Sequence, residues 1–344
     1  MEHLNKLSQH AQFLFVFLLT LALSIVVMYV AVTNGTFDMS VLDVLRTLFR
    51  FQSVSEYDLV IFEFRLPRIV IGALVGFALG IAGAVLQGVT RNQLADPGIL
   101  GIHSAAGMAI ILYMFFIQGT VKGANWLSIM TMPLFGWLGG MVAALLLLLF
   151  ARYKGALDPQ RLILVGIAFS SGFGAITLYI SLKMDPQDFE MATVWLSGSL
   201  YSTTWIHILA VLPWIIILTP IIWWKSNKLN LLNLDEVLAI GLGLNKDQER
   251  MIFLLCCVGL VSACVSVAGN VGFIGLIAPH MARRLVGIHY QYVIPVCGAI
   301  GMLMVLVGDF IGKTIFAPAE LPVGIVISII GVPYFVYLLF KKRK

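Results

Sequence analysis

RLPRIVIGALVGFALGIAGAVLQG, residues 65–88, carries no charged side chain after Arg68. A helix needs about 20 apolar residues to cross the hydrocarbon core of a bilayer, and positions 69–89 supply that run. Pro67 suits the first helical turn, where its missing N–H is no loss. Gly72, Gly76, Gly80, Ala84 and Gly88 follow one another every four residues. That spacing lines small side chains along one ridge, and in lipid such ridges let helices pack closely. The stretch therefore reads as a membrane span that touches another helix along one side.

The rest of the chain repeats the pattern. Of 344 residues, 60% are hydrophobic and only 11% charged, and the mean hydropathy is +0.97. Soluble proteins carry about a quarter charged residues, so the composition is that of a membrane protein. Apolar runs fall at 13–32, 69–89, 98–117, 131–151, 162–182, 204–224, 251–268, 270–286, 292–309 and 322–340. The first is too long for a signal-peptide core and is read as a retained span. The eighth is short, glycine-rich and interrupted by Pro279. Alternating strand patterns are absent, which excludes a membrane β-barrel. The expected fold is all-α, one polytopic domain (1–344) of about ten transmembrane helices. The four cysteines, Cys256, Cys257, Cys264 and Cys297, lie in apolar runs without metal-ligand spacing and read as small core residues.

An even number of spans puts both ends on one side. With the ends inside, 15 of the 22 Lys and Arg residues fall inside, including the terminal KKRK, and the rest outside. This sidedness accounts for the net charge of +5 without any nucleic-acid partner. It also places the longest polar segment, KSNKLNLLNLDEVLAIGLGLNKDQER (225–250), in the cytoplasm. Leu234, Leu238 and Leu242 stand four residues apart along one helical face, with Asp235 and Glu236 off it. Gly241 and Gly243 then break the helix. A short amphipathic helix held between two spans suits the docking of another protein. Elsewhere, Asp96-Pro97-Gly98 marks an inside turn (92–101), and KMDPQDFE (183–190) is an outside segment ahead of a short helix-like piece, ATVWLSGSL. In 267–287, Gly269, Gly272 and Gly275 precede Pro279 and His280. A span so interrupted leaves backbone groups unpaired, which is tolerated only against protein or a water-filled cavity.

The search for catalysis yields little. Ser199 with His207 is the one conceivable nucleophile pair, and packing and capping explain both better. His103, His280 and His289 lack metal spacing, and no GxxxxGK[ST] phosphate loop is present. Coupled carriers need several buried charges within their spans. Here Asp309 is the one candidate, and Lys313, one turn on, offers it a partner. A transporter built on this chain takes its energy from elsewhere. No catalytic, cofactor or metal residue is assigned.

Three blocks carry a resemblance. RLPRIVIGALVGFALGIAGAVLQGVTRNQLADPGILGIHSAAG (65–107), AGNVGFIGLIAPHMARRLVG (268–287) and GDFIGKTIFAPAELPVGIVISIIGVPYFVYLL (308–339), together with the LDEVLAIGLGLN loop, resemble the FecCD family. These are permease subunits of ABC importers for ferric siderophores, haem and cobalamin. Gln93 and Asn270 stand where that family commonly has proline, His103 where it has serine, and Lys313 where it has arginine. The resemblance implies a type II ABC-importer permease fold in the bacterial plasma (inner) membrane. It implies a second permease chain, identical or paralogous, a cytoplasmic ABC ATPase dimer and an extracellular or periplasmic substrate-binding protein. By the same resemblance, Leu234, Asp235, Glu236, Leu238, Ala239, Gly241, Leu242 and Gly243 couple to the ATPase. Arg65, Arg68 and Lys313 dock the binding protein. Gly72, Gly76, Gly80, Gln87, Gly269, Gly272, Gly275 and Pro279 serve helix packing and the translocation path. Ferric siderophore is the expected cargo, ahead of cobalamin or haem. A secondary carrier is the distant alternative.

Overall fold

The computed structural model describes residues 2–340 except 36–38, 52–53, 118–125, 154–155, 202 and 318. The KKRK run (341–344), Lys122 and Lys154, used above for sidedness, lie outside the described residues, as do the side chains of Lys6 and Glu236.

In chain order the elements are α1 (Glu2–Thr33), α2 (Val41–Leu48), α3 (Ser55–Asp58), a π-helical segment Leu59–Arg65, α4 (Leu66–Thr90), α5 (Ile102–Phe116) and α6 (Trp126–Phe150). A two-strand hairpin, β1 (Arg152–Tyr153) and β2 (Ala156–Leu157), pairs Arg152 with Leu157. Then come α7 (Pro159–Ser181), α8 (Pro186–Leu196), α9 (Trp205–Trp224), α10 (Ser226–Leu232), α11 (Glu236–Gly241), α12 (Lys246–Ala268), α13 (Ile274–Val286), α14 (Tyr290–Thr314) and α15 (Val323–Phe340).

Each of the ten apolar runs forms a helix, but they are unequal. Seven helices among the described residues are long and apolar enough to cross a membrane. The run at 98–117 gives the 15-residue α5 and that at 270–286 the 13-residue α13, both shorter than a full span, whereas 322–340 gives the 18-residue α15. The causes are local. Pro97–Leu100 winds as a 3₁₀ turn capped by left-handed Gly101, so α5 starts late. Residues 269–273 are not helical, so α13 keeps only 13 residues. The outer helix-like piece also shifts. α8 begins at Pro186, behind Asp185, and stops before left-handed Gly198.

Helices α4 and α12 form the middle of the bundle, with 83% of the apolar window buried in each, against 11% in α7. The ridge on α4 explains this depth. A Cβ added at Gly76 would meet the backbone of Gly301, and one at Gly80 that of Cys297, both on α14. Gly83 sits likewise against Gly275 of α13. Gly72 and Gly88 face the side chains of Leu200 and Tyr290. Helices meeting backbone to backbone gain dispersion contacts that larger side chains would prevent. The four cysteines are buried and free.

Candidate coupling surface and translocation path

At one end of the bundle, α10 and α11 carry the polar loop. Leu234, Leu238 and Leu242 are all exposed there, three leucines presenting an unfilled apolar surface, and Asp235 is exposed beside them. Ala239 is fully buried beneath, and its carbonyl accepts from Leu244 N at 3.1 Å. α11 ends at Gly241, and Gly243 takes φ +76, a left-handed turn that glycine adopts without strain.

This surface is tied to the bundle by specific bonds. Arg91, left-handed at the end of α4 (φ 53), donates from Nε to the carbonyl of Leu232 at 2.7 Å and from Nη2 to that of Leu234. Tyr290 N, opening α14, donates to Asn230 Oδ1 at 3.0 Å. Lys225 and Lys228 both donate to buried Glu249 of α12, the first at 3.0 Å. That bond to Glu249 holds the Lys228 ammonium above its ordinary pKa.

The break between α12 and α13 forms a second feature. Gly269 takes φ +68, and a Cβ there would meet the carbonyl of Trp195. Phe273, at φ +64, adopts a backbone conformation that costs a bulky residue about 1–3 kcal/mol. Its ring lies against Gly331 of α15. Two cavities meet at Gly272 and Phe273. One, of about 680 Å³, is lined by Ser197, Asn270, Gly324 and Ser328 among others. The other, of about 500 Å³, reaches Asp96, Ser170, Ser171 and Phe335. Gln87 Nε2 donates to the Gly275 carbonyl at 3.2 Å, Arg283 donates to Gln87 Oε1, and Pro279 is buried within α13. Asp96 Oδ1 accepts from Gly98 N at 2.8 Å, yet burial pushes its carboxyl up to about 6.

At the opposite end the basic residues are not arranged as expected. Arg65 is buried and donates to the Val32 carbonyl at 2.5 Å. Arg68 grips Asp309 through Nε (2.9 Å to Oδ2) and Nη2 (2.9 Å to Oδ1), and reaches Glu320 Oε2 at 2.6 Å through Nη1. The partner of Asp309 is thus Arg68 rather than Lys313, because α4 and α14 lie side by side. Both arginines are held within the chain, Arg65 by the Val32 carbonyl and Arg68 by Asp309 and Glu320, with Lys313 half-buried nearby.

Ser199 and His207 are held in separate turns. Ser199 Oγ accepts from Tyr201 N, and His207 Nδ1 caps Thr204. Sequence reading passed over Arg91, Arg283 and the outward face of α7. The last had a signal, since Ala168, Ser171, Gly172 and Ala175 are small residues at helical spacing. All four are exposed, and a Cβ at Gly172 would enter open space.

Known proteins match this chain over most of its length. Residues 21–341 match the FecCD transport family. The chain is 50% identical to the iron-uptake system permease protein FeuC of Bacillus subtilis, over 95% of this chain and 97% of that one. It is 44% identical to the iron(3+)-hydroxamate import system permease protein FhuG of the same species, over 95% and 97%. Among solved structures, a metal-chelate type ABC transporter in an inward-facing conformation superposes with a TM-score of 0.81 at 28% identity, covering 94% of this chain and 98% of that chain.

Proposed function

This chain belongs to the FecCD transport family, and from that premise we propose that it is the membrane permease subunit of an ATP-driven importer whose cargo is an iron(III)–siderophore complex. The multi-pass bundle supplies the wall of the path, a second permease chain supplies the other wall, and a separate cytoplasmic ATPase dimer supplies the energy. A substrate-binding protein delivers the cargo from outside. In this reading the protein lies in the bacterial plasma membrane with both ends and the 225–250 loop in the cytoplasm.

The observation that carries the coupling reading is the exposed row of Leu234, Leu238 and Leu242 above Ala239, tied through Arg91 to the end of α4. Three leucines exposed in a loop rich in charge mark a surface that another protein covers. A force applied to the loop reaches the end of α4 through the two bonds of Arg91 to Leu232 and Leu234, just ahead of α11, and α4 meets α12, α13 and α14 in the middle of the bundle. Movement of the loop therefore displaces the helices that border the α12–α13 break. Asp235, Glu236, Gly241 and Gly243 belong to the same docking element. Gly272, Asn270 and Phe273 line the proposed path, and α7 with α15 faces the second permease chain.

For the binding protein, the internal bonds of Arg65 to Val32 and of Arg68 to Asp309 and Glu320 shift the proposed contact toward Lys313 and the Glu320 rim, with Arg68 holding that rim in place. The cargo assignment follows the iron-uptake names of the relatives. It is tested by ferric-siderophore uptake in cells lacking their own permease, with the chain restored together with an ATPase and a binding protein of the same kind of importer. Uptake of radiolabelled iron complexed to a siderophore is the expected result. Uptake of haem or cobalamin alone would reassign the cargo, and uptake that persists after ATPase deletion would overturn the energy source.

A further inference from the structure

Beside the loop lies a cavity of about 450 Å³ lined by Gln87, Arg91, Asn230, Asn233, Arg283 and Tyr290, among others. Two guanidiniums face this one space, and no carboxylate is among its described lining residues. Both are oriented by neutral acceptors, Arg91 by two loop carbonyls and Arg283 by the Gln87 amide. A neutral acceptor fixes a guanidinium without cancelling its charge. Glu249, a buried carboxylate of this end, is taken up by Lys225 and Lys228, and Asp96 lines a different cavity. Among the described residues, neither guanidinium of the cavity is paired with a carboxylate.

Three further features point the same way. His289 and Tyr290, both lining the cavity, open the 25-residue α14, so its positive end lies there. The Asn230 Oδ1 is occupied by Tyr290 N, which leaves its Nδ2 amine as a donor. Arg91 holds a left-handed backbone, a conformation that costs a residue with a Cβ and persists only where its surroundings enforce it. Here it brings the side chain of the residue that caps α4 under the loop. Donors from the ends of α4, α13 and α10 and from the start of α14 therefore converge on one space.

We propose that this cavity binds a phosphate-type anion between Arg91 and Arg283. Guanidinium forks match phosphate oxygens in geometry and charge, and each such bond is stronger than a neutral one. The anion is either free inorganic phosphate or the headgroup phosphate of a membrane lipid. Bound there, it joins the ends of α4 and α13 to the root of the coupling loop and stiffens their connection. The effect on coupling rests on the transport reading above, whereas binding does not.

The test uses the purified full-length chain in nanodiscs, so failure of transport leaves it unaffected. Thermal unfolding is followed against inorganic phosphate in phosphatidylcholine discs, with ionic strength held by sodium chloride. It is repeated without phosphate in discs of equal parts phosphatidylcholine and phosphatidylglycerol. Saturable stabilisation by phosphate identifies the free anion, and stabilisation only by phosphatidylglycerol identifies the lipid headgroup. In either case Arg283→Gln weakens binding about tenfold or more. Gln93→Glu, which places a carboxylate at an exposed position of the cavity and breaks no described bond, does the same while folding normally. Stabilisation by neither probe, or equal stabilisation of wild type and both variants, overturns the proposal.

Discussion

Arg68 meets Asp309 across 241 positions of sequence, and the pair shows what a single charge does at the edge of a bilayer. Arg68 and Asp309 have side chains only 12% and 13% exposed, so removing the cation strands Asp309 and Glu320 in a poorly solvated site. Arg68→Gln is expected to lower the unfolding free energy by on the order of 3 kcal/mol. Lys313→Gln, which breaks no described ion pair, should cost less than about 1 kcal/mol. Denaturation of both variants in detergent checks this, and an Arg68 variant of wild-type stability would return the arginine to a surface role. Asp96 makes a pH prediction. Its carboxyl rises from the ordinary 3.8 to about 6 through burial, so the folded chain holds this proton more tightly than the unfolded one. Its contribution to stability is complete below about pH 4 and is lost as pH rises through about 6. Asp96→Asn cannot ionise and still accepts from Gly98 N. Its stability is expected to be higher than wild type near neutral pH, with the difference vanishing on acidification. A constant difference across that window would show that Asp96 does not titrate there.

At the scale of elements, the ridge of α4 and the leucines of α11 follow one rule read in opposite directions. Gly76 faces the Gly301 backbone, so Gly76→Leu forces α4 from α14 and should cost toward the upper end of the roughly 1–3 kcal/mol typical of overpacking. Unchanged thermal stability of that variant in detergent would mean that the helices part without loss. Leu238, 58% exposed, has no such constraint within the chain. Leu238→Asp is expected to leave the chain folded and in the membrane while co-purification with the ATPase and ATP-driven uptake are lost. Normal yield of the assembled complex would show that the leucine face docks nothing. The spacing of four residues was legible in both cases. Which neighbour each face meets was not, because hydropathy reports burial or exposure of a face and never the identity of what lies across it.

For the whole molecule, the distribution of burial is the informative quantity. α7 is the least buried of the candidate spans, and its exposed face carries Gly172 in open space. Gly172→Leu should change the stability of the isolated chain by less than about 0.5 kcal/mol yet reduce recovery of the assembled importer. Equal recovery of wild type and variant after solubilisation would place α7 against lipid instead.

Membrane residence, helical class and the positions of ten apolar segments were determined by the sequence alone, because a bilayer demands long runs of apolar residues whose backbone bonds close within the segment. The small-residue ridge and the amphipathic loop were determined there too, since helical periodicity is a local property. Only the tertiary structure decided that α13 is a half-length helix behind a left-handed Phe273, that Arg68 belongs to Asp309 and Glu320, and that Arg91 ties the loop to α4. These outcomes depend on side chains brought together from distant positions, and their pairing follows from how α4, α12, α13 and α14 pack rather than from any spacing along the chain.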